Sequence, residues 1–257
     1  YQVHNCDLRG DQAYIYDCGI FPLALVEVDV EKTGLKYALL DSIESVDYQV
    51  PPLRIMRLSV DIIKKGKIAN LNDPIDKIFV SQDGVEVIID CGGEGDKLLQ
   101  LVRMIKEFDP DVILTRGGDS YLFPYLTRRA TLSDVLDEFV LSRDDVPLVV
   151  KNARGRTFFS YGRTYYRAPM RRLYGRDHVD VGNTFILNEC GFEGLIEIAR
   201  TCRVPFHRAS RSSIGSSMTS LQLYQALKDD ILIPRNKSIP EAFKSAYELL
   251  VGDRGGF

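Results

Sequence analysis

Residues 109–126 read DPDVILTRGGDSYLFPYL, and this stretch decides the fold. Val112, Ile113 and Leu114 form a short β-branched and aliphatic run, the composition of a buried strand. Asp109-Pro110 starts the run sharply and Gly117-Gly118 ends it. Asp119 or Ser120 is expected to cap a helix that starts near Tyr121 and runs through Leu126. Strand, glycine turn and helix place the turn at the C-terminal edge of a sheet, where α/β folds bind ligands.

Upstream, residues 53–62 (LRIMRLSVDI), 75–80 and 85–89 read as strands, with a hairpin turn at Gln82-Asp83-Gly84. Residues 94–108 read as an amphipathic helix, because Leu98, Leu101, Val102, Ile105 and Phe108 fall on one stripe. Three antiparallel strands, a helix and a further strand are the order of a ribonuclease-H-like α/β (α+β) domain with a mixed sheet. Residues 1–50 read as mostly β, with strand-like runs at 13–16, 23–29 and 35–40 and a turn at Lys32-Thr33-Gly34. Pro51-Pro52 breaks that pattern and marks a boundary. Downstream, helices are expected over 132–141 (begun by Thr131 or Ser133), from Thr184, and over 193–202, 220–228 and 240–251. Pro240 stands in the first turn of the last. Residues 177–181 read as a strand.

The chain has 257 residues, enough for a sizeable core and one to two domains. It contains no apolar run of about 18 residues, the length a membrane span needs. Its five cysteines are scattered without a CxxC pair, which indicates neither a zinc site nor a disulfide framework. The expectation is reduced thiols in a cytoplasmic protein.

The net charge of −3 is unevenly spread. Residues 151–176 hold Lys151, Arg154, Arg156, Arg163, Arg167, Arg171, Arg172 and Arg176 and no acid, the pattern of a polyanion-binding face. Within this block, 157–161 and 163–167 read as a β-hairpin around Gly162. Phe158, Phe159, Tyr161, Tyr165, Tyr166 and Tyr174 interleave with the arginines. Guanidinium groups contact phosphates and rings stack on bases, a combination suited to single-stranded nucleic acid. The candidate contacts are Arg154, Arg156, Tyr161, Arg163, Tyr165, Arg167, Arg171 and Arg172. The bland alternative is that aromatics favour hairpins and that some pack inward.

Residues 109–126 resemble the second exonuclease motif of family B DNA polymerases, a strand ending in Asn-x-x-x-Phe-Asp followed by Phe-Pro-Tyr-Leu. Here Gly117 stands at the Asn position, Tyr121 at the Phe and Leu122 at the catalytic Asp. Residues 53–62 resemble the first motif, Asp-x-Glu, with Ser59 at the Asp and Asp61 at the Glu. The third motif, Tyr-x-x-x-Asp, is placed with Arg176 at the Tyr and Asp180 at the Asp. His178 beside it is expected to be a hydrogen-bonded structural residue rather than a ligand. Residues 208–237 resemble the link to the palm, an Arg-x-Ser-like turn, a helix and Ile-Pro-x-x-Lys. Residues 252–257 resemble the segment that leads into the palm.

Such decayed motifs look like those of an archaeal branch of the family. The resemblance implies the end of an N-terminal domain over 1–50, a degenerate 3′–5′ exonuclease-like domain over 51–205, and a helical connection to the palm over 206–257. The sequence starts at Tyr1 and stops at Phe257 just after an expected helix, so the expectation is a piece of a longer protein. The implied protein is a DNA-directed DNA polymerase, a nucleotidyltransferase. This part would bind single-stranded template or primer, with its own palm as partner, no catalytic residue and no cofactor. Mg²⁺ is expected for the full polymerase. Two-metal exonucleolysis needs several carboxylates, and only Asp61 and Asp180 remain as possible ligands. The competing expectations are a working nuclease using Asp61, Asp119 and Asp180, or a non-catalytic scaffold for the palm.

Overall fold

The computed structural model describes residues 4–5, 8–31, 34–148, 154–160, 162–233 and 245–252. The chain enters through a short helix, α1 (Gly10–Asp17), followed by an antiparallel ribbon of β1 (Val26–Glu31) and β2 (Gly34–Leu39). The strand expected at 13–16 is therefore helical. Its residues are β-formers by type, but tertiary packing decides. The Tyr16 hydroxyl donates to the Ser220 carbonyl at 2.9 Å, and its ring meets Tyr224 edge-on at 5.2 Å. Lys32 and Thr33 of the expected turn lie outside the described residues.

The main sheet is built from β3 (Ile55–Ile62), β4 (Ile75–Gln82), β5 (Val85–Ile89), β6 (Val112–Thr115) and, much later, β9 (Asp177–Asp180). Its order is β5-β4-β3-β6-β9. The first three strands run antiparallel, and β6 and β9 run parallel to β3. This is the mixed sheet of a ribonuclease-H-like fold.

Alternation along β3 sorts the two faces. Met56 and Leu58 are buried, whereas Arg57, Ser59 and Asp61 are exposed. On the buried face, Met56, Leu58, Ile78 and Val80 pack against Leu98, Leu101 and Ile105 of α2 (Glu94–Phe108) and Phe123 and Leu126 of α3 (Phe123–Leu132). The Asp96 carboxylate accepts the Gly93 N–H at 2.9 Å and caps the start of α2. The α2 stripe follows the spacing read from the sequence.

On the opposite face, Val112 and Val179 meet Leu195, Ile196 and Ala199 of α4 (Ile186–Thr201) and Phe206 of α5 (Phe206–Ala209). Between these elements lies a separate hairpin, β7 (Arg156–Ser160) and β8 (Arg163–Arg167). Helices α6 (Ile214–Lys228) and α7 (Ala246–Gly252) complete the described chain.

Three helical expectations are corrected. The helix after β6 does not start at Tyr121: residues 118–122 wind as one π turn, in which the N–H groups of Tyr121 and Leu122 both donate to the Gly117 carbonyl. No helix forms over 132–141, because α3 occupies Leu132 and Asp134 then turns left-handed at φ 58°. Phe139 and Leu141 still reach the core from irregular backbone. Helix α4 starts at Ile186 and is broken at Gly191, whose φ of 69° is not helical, so it consists of two helical stretches as expected. Helix α6 begins six residues before the expected Ser220, where the Ser213 hydroxyl accepts the Ser216 N–H. Pro240 lies outside the described residues.

Arginines of α4 and α5 tie the N-terminal segment down. Arg200 is 2 % exposed, pairs with Asp41 at 2.8 Å and lies 3.7 Å over the Tyr48 ring. Arg208 holds Asp11 of α1 at 2.9 Å. No helix among the described residues is long and apolar enough to cross a membrane.

Candidate functional site

The turn after β6 and the end of β9 meet in a buried polar node. Gly117 takes φ 76°, which a residue with a side chain enters only at a cost. Gly118 lies against the sheet so closely that a Cβ there would fall 2.0 Å from Thr115 Oγ1 and 2.5 Å from His178 Nε2. The two glycines thus have separate reasons, one conformational and one steric. Gly118→Ala is expected to destabilise the protein by about 3 kcal/mol, at the upper end for overpacking, which a urea melt measures. A loss under about 0.5 kcal/mol would show that the turn can move away from His178.

Asp180 closes the turn. Its Oδ1 accepts the N–H groups of Gly117 and Gly182 at 2.8 and 2.9 Å, and its Oδ2 accepts that of Asp119 at 2.9 Å. Asp119, fully buried, faces Arg211 in a two-point contact of 2.6 and 3.0 Å. It also accepts from the Arg171 N–H at 2.7 Å and from the Asn183 amide at 2.8 Å. Burial pushes the Asp119 carboxyl up, but the hydrogen bonds and charge of Arg211 outweigh it and the net direction is down.

His178 is buried against Phe123, with ring centres 4.3 Å apart. Its Nδ1 lies 3.0 Å from the Arg171 carbonyl and its Nε2 lies 2.8 Å from the Thr115 hydroxyl. Arg211 Nη2, which can only donate, lies 3.0 Å from the same Nδ1, so the two contacts of Nδ1 call for opposite ring tautomers. Burial, then the neighbouring Arg211 charge, pushes its pKa down to about 4. His178 is therefore neutral and structural. Arg211, Asn183 and Thr115, which complete the node, were not singled out by the sequence reading.

The positions that resemble exonuclease residues do not converge on a metal. Ser59 lines an open groove on the exposed face of the sheet. Asp61 is exposed further along β3, in register with Lys77. Leu122 is 6 % exposed in the core on the other face. Asp180 is buried and spends both oxygens on backbone N–H groups, and Asp119 spends its own on Arg211. Among the described residues no group of three or more His, Cys, Asp or Glu side chains is placed to hold a metal ion. This donor set does not fit a pair of divalent ions, which take mainly charged oxygen ligands.

The basic block divides in two. Arg154, Arg156, Arg163 and Arg172 are exposed. Arg167 is half-buried over the Phe185 ring at 5.8 Å, and burial, followed by the charge of Arg156, lowers its pKa. Tyr165 meets the same ring edge-on at 5.6 Å. Arg171 is bound to the node, its backbone N–H and its Nε both donating to Asp119. The outward rings are Phe159 and Tyr166, 73 % and 65 % exposed. The pairings Phe159↔Thr164 and Thr157↔Tyr166 set both on the same face of the hairpin. Tyr161 lies outside the described residues.

Arg176 sits at the opposite end of the sheet, donating to the Pro110 carbonyl at 3.1 Å and pairing with Asp109. It belongs to a strut with Arg54 and Arg143 that pins the start of β6. Hydrogen bonds from Arg143 hold the Asp109 carboxyl at a pKa of about 2.

Known proteins share both this sequence and this fold. A DNA polymerase of Archaeoglobus fulgidus is 24 % identical over 183 residues, 70 % of this chain and 21 % of the relative. A DNA polymerase of Pyrococcus horikoshii is 43 % identical over 61 residues, 24 % of this chain and 4 % of the relative. The DNA polymerase 1 of Pyrococcus abyssi is 48 % identical over 46 residues, 18 % of this chain and 6 % of the relative. The chain thus spans about a fifth or less of these relatives. No protein-family model matches it. The structure of the family B DNA polymerase of Pyrobaculum calidifontis superposes with a TM-score of 0.66 at 20 % identity, over 94 % of this chain and 38 % of that one. The chain is thus similar in sequence to parts of archaeal DNA polymerases and shares its fold with part of a family B member.

Proposed function

We propose that this chain is the N-terminal and exonuclease-like part of a cytoplasmic DNA-directed DNA polymerase, and that it holds single-stranded template or primer without cutting it. Its partner is the palm of the same protein, where the polymerase uses Mg²⁺. On this reading residues 1–50 end the N-terminal domain, 51–205 form the exonuclease-like domain and 206–257 connect to the palm. The observation that carries the reading is the hairpin. Arg156 and Arg163 are exposed, and Phe159 and Tyr166 present largely exposed rings on one face, the Tyr166 hydroxyl end resting on Gly155. Loss of cleavage is supported by Ser59 and Leu122 at carboxylate positions and by the engaged oxygens of Asp180.

The test is the salt dependence of binding to a labelled oligothymidylate. Each phosphate contact contributes about 0.7 to the slope of log affinity against log salt on a single strand. Arg156→Ala with Arg163→Ala is expected to weaken binding and to lower that slope by about 1.4. Phe159→Ala with Tyr166→Ala is expected to cost about 1–3 kcal/mol per ring and to leave the slope unchanged. An arginine pair variant that binds as the parent does would withdraw the hairpin from the interface. In the same tube, Mg²⁺- or Mn²⁺-dependent shortening of the strand, abolished by Asp61→Ala, would replace the non-cleaving reading with a nuclease.

A further inference from the structure

Two short antiparallel ribbons stand apart from the main sheet, and each leaves an apolar face open. In the first, the pairs Val26↔Leu39 and Val28↔Tyr37 set these four side chains, together with Val30, on one face. Val30 is 79 % exposed there and Val28 46 %. The other face carries Glu27 and Asp29, the latter opposite Lys36. The Tyr37 hydroxyl donates to the Cys18 carbonyl at 3.4 Å, and Asp41, just past β2, pairs with Arg200, so the ribbon is anchored at its base. In the second ribbon, the β7–β8 hairpin, Thr157, Phe159, Thr164 and Tyr166 share the open face. Tyr165 and Arg167, on its reverse, rest on Phe185.

A two-stranded ribbon is only marginally stable by itself, and an exposed apolar patch of this kind marks a docking surface. Charge says what covers it. Residues 25–48 hold Glu27, Asp29, Glu31, Asp41, Glu44 and Asp47 against Lys32 and Lys36. That surplus of acid repels nucleic-acid phosphates and also a second ribbon of the same kind. Residues 151–176 carry eight cations and no acid, with Arg156 and Arg163 exposed on the hairpin, so two hairpins repel as well. Ribbon on hairpin opposes unlike charges instead. The sizes also match, six residues in each strand of the ribbon and five in each strand of the hairpin, roughly 17–20 Å.

We propose that the open face of the β1–β2 ribbon in one copy of this chain seats the Phe159 and Tyr166 rings of the β7–β8 hairpin in a second copy. The two ribbons pack face to face as small sheets do. Val26, Val28, Val30, Tyr37 and Leu39 supply the apolar burial that drives the contact. The acids around the ribbon and the exposed Arg156 and Arg163 select the partner surface and speed the encounter. Because the two surfaces differ, the contact is head-to-tail. Each dimer keeps one free ribbon and one free hairpin, and association runs on to short chains. Faces this small lie at the low end of protein interfaces, so the contact is weak and reversible. It does not rest on the single-strand reading, since both faces are exposed whether or not the hairpin meets nucleic acid.

The experiment is sedimentation velocity of the 257-residue chain, free of nucleic acid, from micromolar to half-millimolar concentration. The parent is expected to be monomeric when dilute and to form dimers and longer chains at the top of the range, less readily as salt is raised. Val28→Thr with Val30→Thr keeps β-branched strand formers but makes the ribbon face polar. Phe159→Ala with Tyr166→Ala strips the hairpin face. Each double variant is expected to self-associate about tenfold more weakly than the parent. Their mixture is decisive. The valine variant keeps an intact hairpin and the ring variant an intact ribbon, so an equimolar mixture is expected to form one-to-one pairs with the parent's affinity and to grow no further.

A parent that stays monomeric at half-millimolar concentration would overturn the interface. Either double variant associating by itself as the parent does would overturn it too, because a like-with-like contact needs only one of the two surfaces. So would a mixture that associates no better than its components. If the valine variant fails to fold, Glu27→Lys on the reverse face of the ribbon keeps the comparison. It is expected to weaken association severalfold at low salt and to match the parent at high salt. Parental association of Glu27→Lys at low salt would overturn the pairing, since charge selected it. None of these outcomes touches the single-strand reading of the hairpin, which stands or falls on the oligothymidylate salt slope.

Discussion

Asp119→Ala is expected to lower stability by about 4 kcal/mol, within the range for breaking one side of a buried ion pair. For a chain of this size that corresponds to a fall in melting temperature of about 10 °C. Three features drive the cost. Arg211, 6 % exposed, would keep its charge inside the protein without the two-point contact that balances it. The Arg171 N–H would lose its acceptor at the same time, and the Asn183 amide would keep only the Ala168 carbonyl. A buried donor left unsatisfied costs more than the hydrogen bond was worth. Denaturant unfolding followed by circular dichroism measures the loss. The pair variant Asp119→Leu with Arg211→Met is expected to recover much of it, because two apolar side chains strand no charge. If Asp119→Ala unfolds at the parent's midpoint, the node does not hold the turn.

What the sequence made legible followed the range of the interactions involved. Strands at 55–62, 75–82 and 85–89 and the helix at 94–108 announce themselves within a window of a few turns, through alternation or through a one-sided stripe. The glycine pair 117–118 could be read as a turn, but not as a turn pressed onto a histidine 60 residues later, because that contact is made by folding. The node was out of reach for the same reason: Asp119 and Arg211 lie 92 residues apart.

Misreadings came from local propensity. Ala13, Tyr14, Ile15 and Tyr16 have strand character, yet they coil as α1 so that Tyr16 can reach Ser220. Residues 132–141 have helical spacing, but α3 already ends there and the apolar groups reach the core without a helix. In the basic block, charge pattern alone treated all its arginines alike. The fold turned Arg171 into a structural anchor, half-buried Arg167 and Tyr165 against Phe185, and left Phe159 and Tyr166 as the outward rings.

Acid is expected to weaken the protein well before its carboxylates are protonated, and the cause is His178. The group is held neutral when folded, with a pKa of about 4, against an ordinary value of 6.5 once the chain unfolds. Above pH 6.5 neither state carries this proton, and His178 contributes its full share to stability. Between pH 6.5 and about 4 the unfolded chain binds the proton and the folded chain does not, so protonation pulls the equilibrium toward unfolding. At about 1.36 kcal/mol per pH unit this accumulates to roughly 3 kcal/mol. Below that window the folded state takes the proton as well and the effect levels off.

The groups facing the ring decide the direction. The desolvated pocket and the Arg211 guanidinium disfavour a charged imidazole, and Asp119, Asp180 and the Arg171 carbonyl compensate only in part. Asp119 itself has its carboxyl held below the ordinary 3.8, so its own loss of stability falls at lower pH and does not overlap. Stability measured by urea unfolding at half-unit steps from pH 8 to 4 is therefore expected to be flat to about 6.5 and then to fall. His178→Gln keeps hydrogen-bonding capacity without a titrating ring. It is expected to be less stable than the parent at pH 7 and nearly level across the same window. Parallel curves for the two proteins would assign the acid sensitivity to another group and would remove His178 from the account.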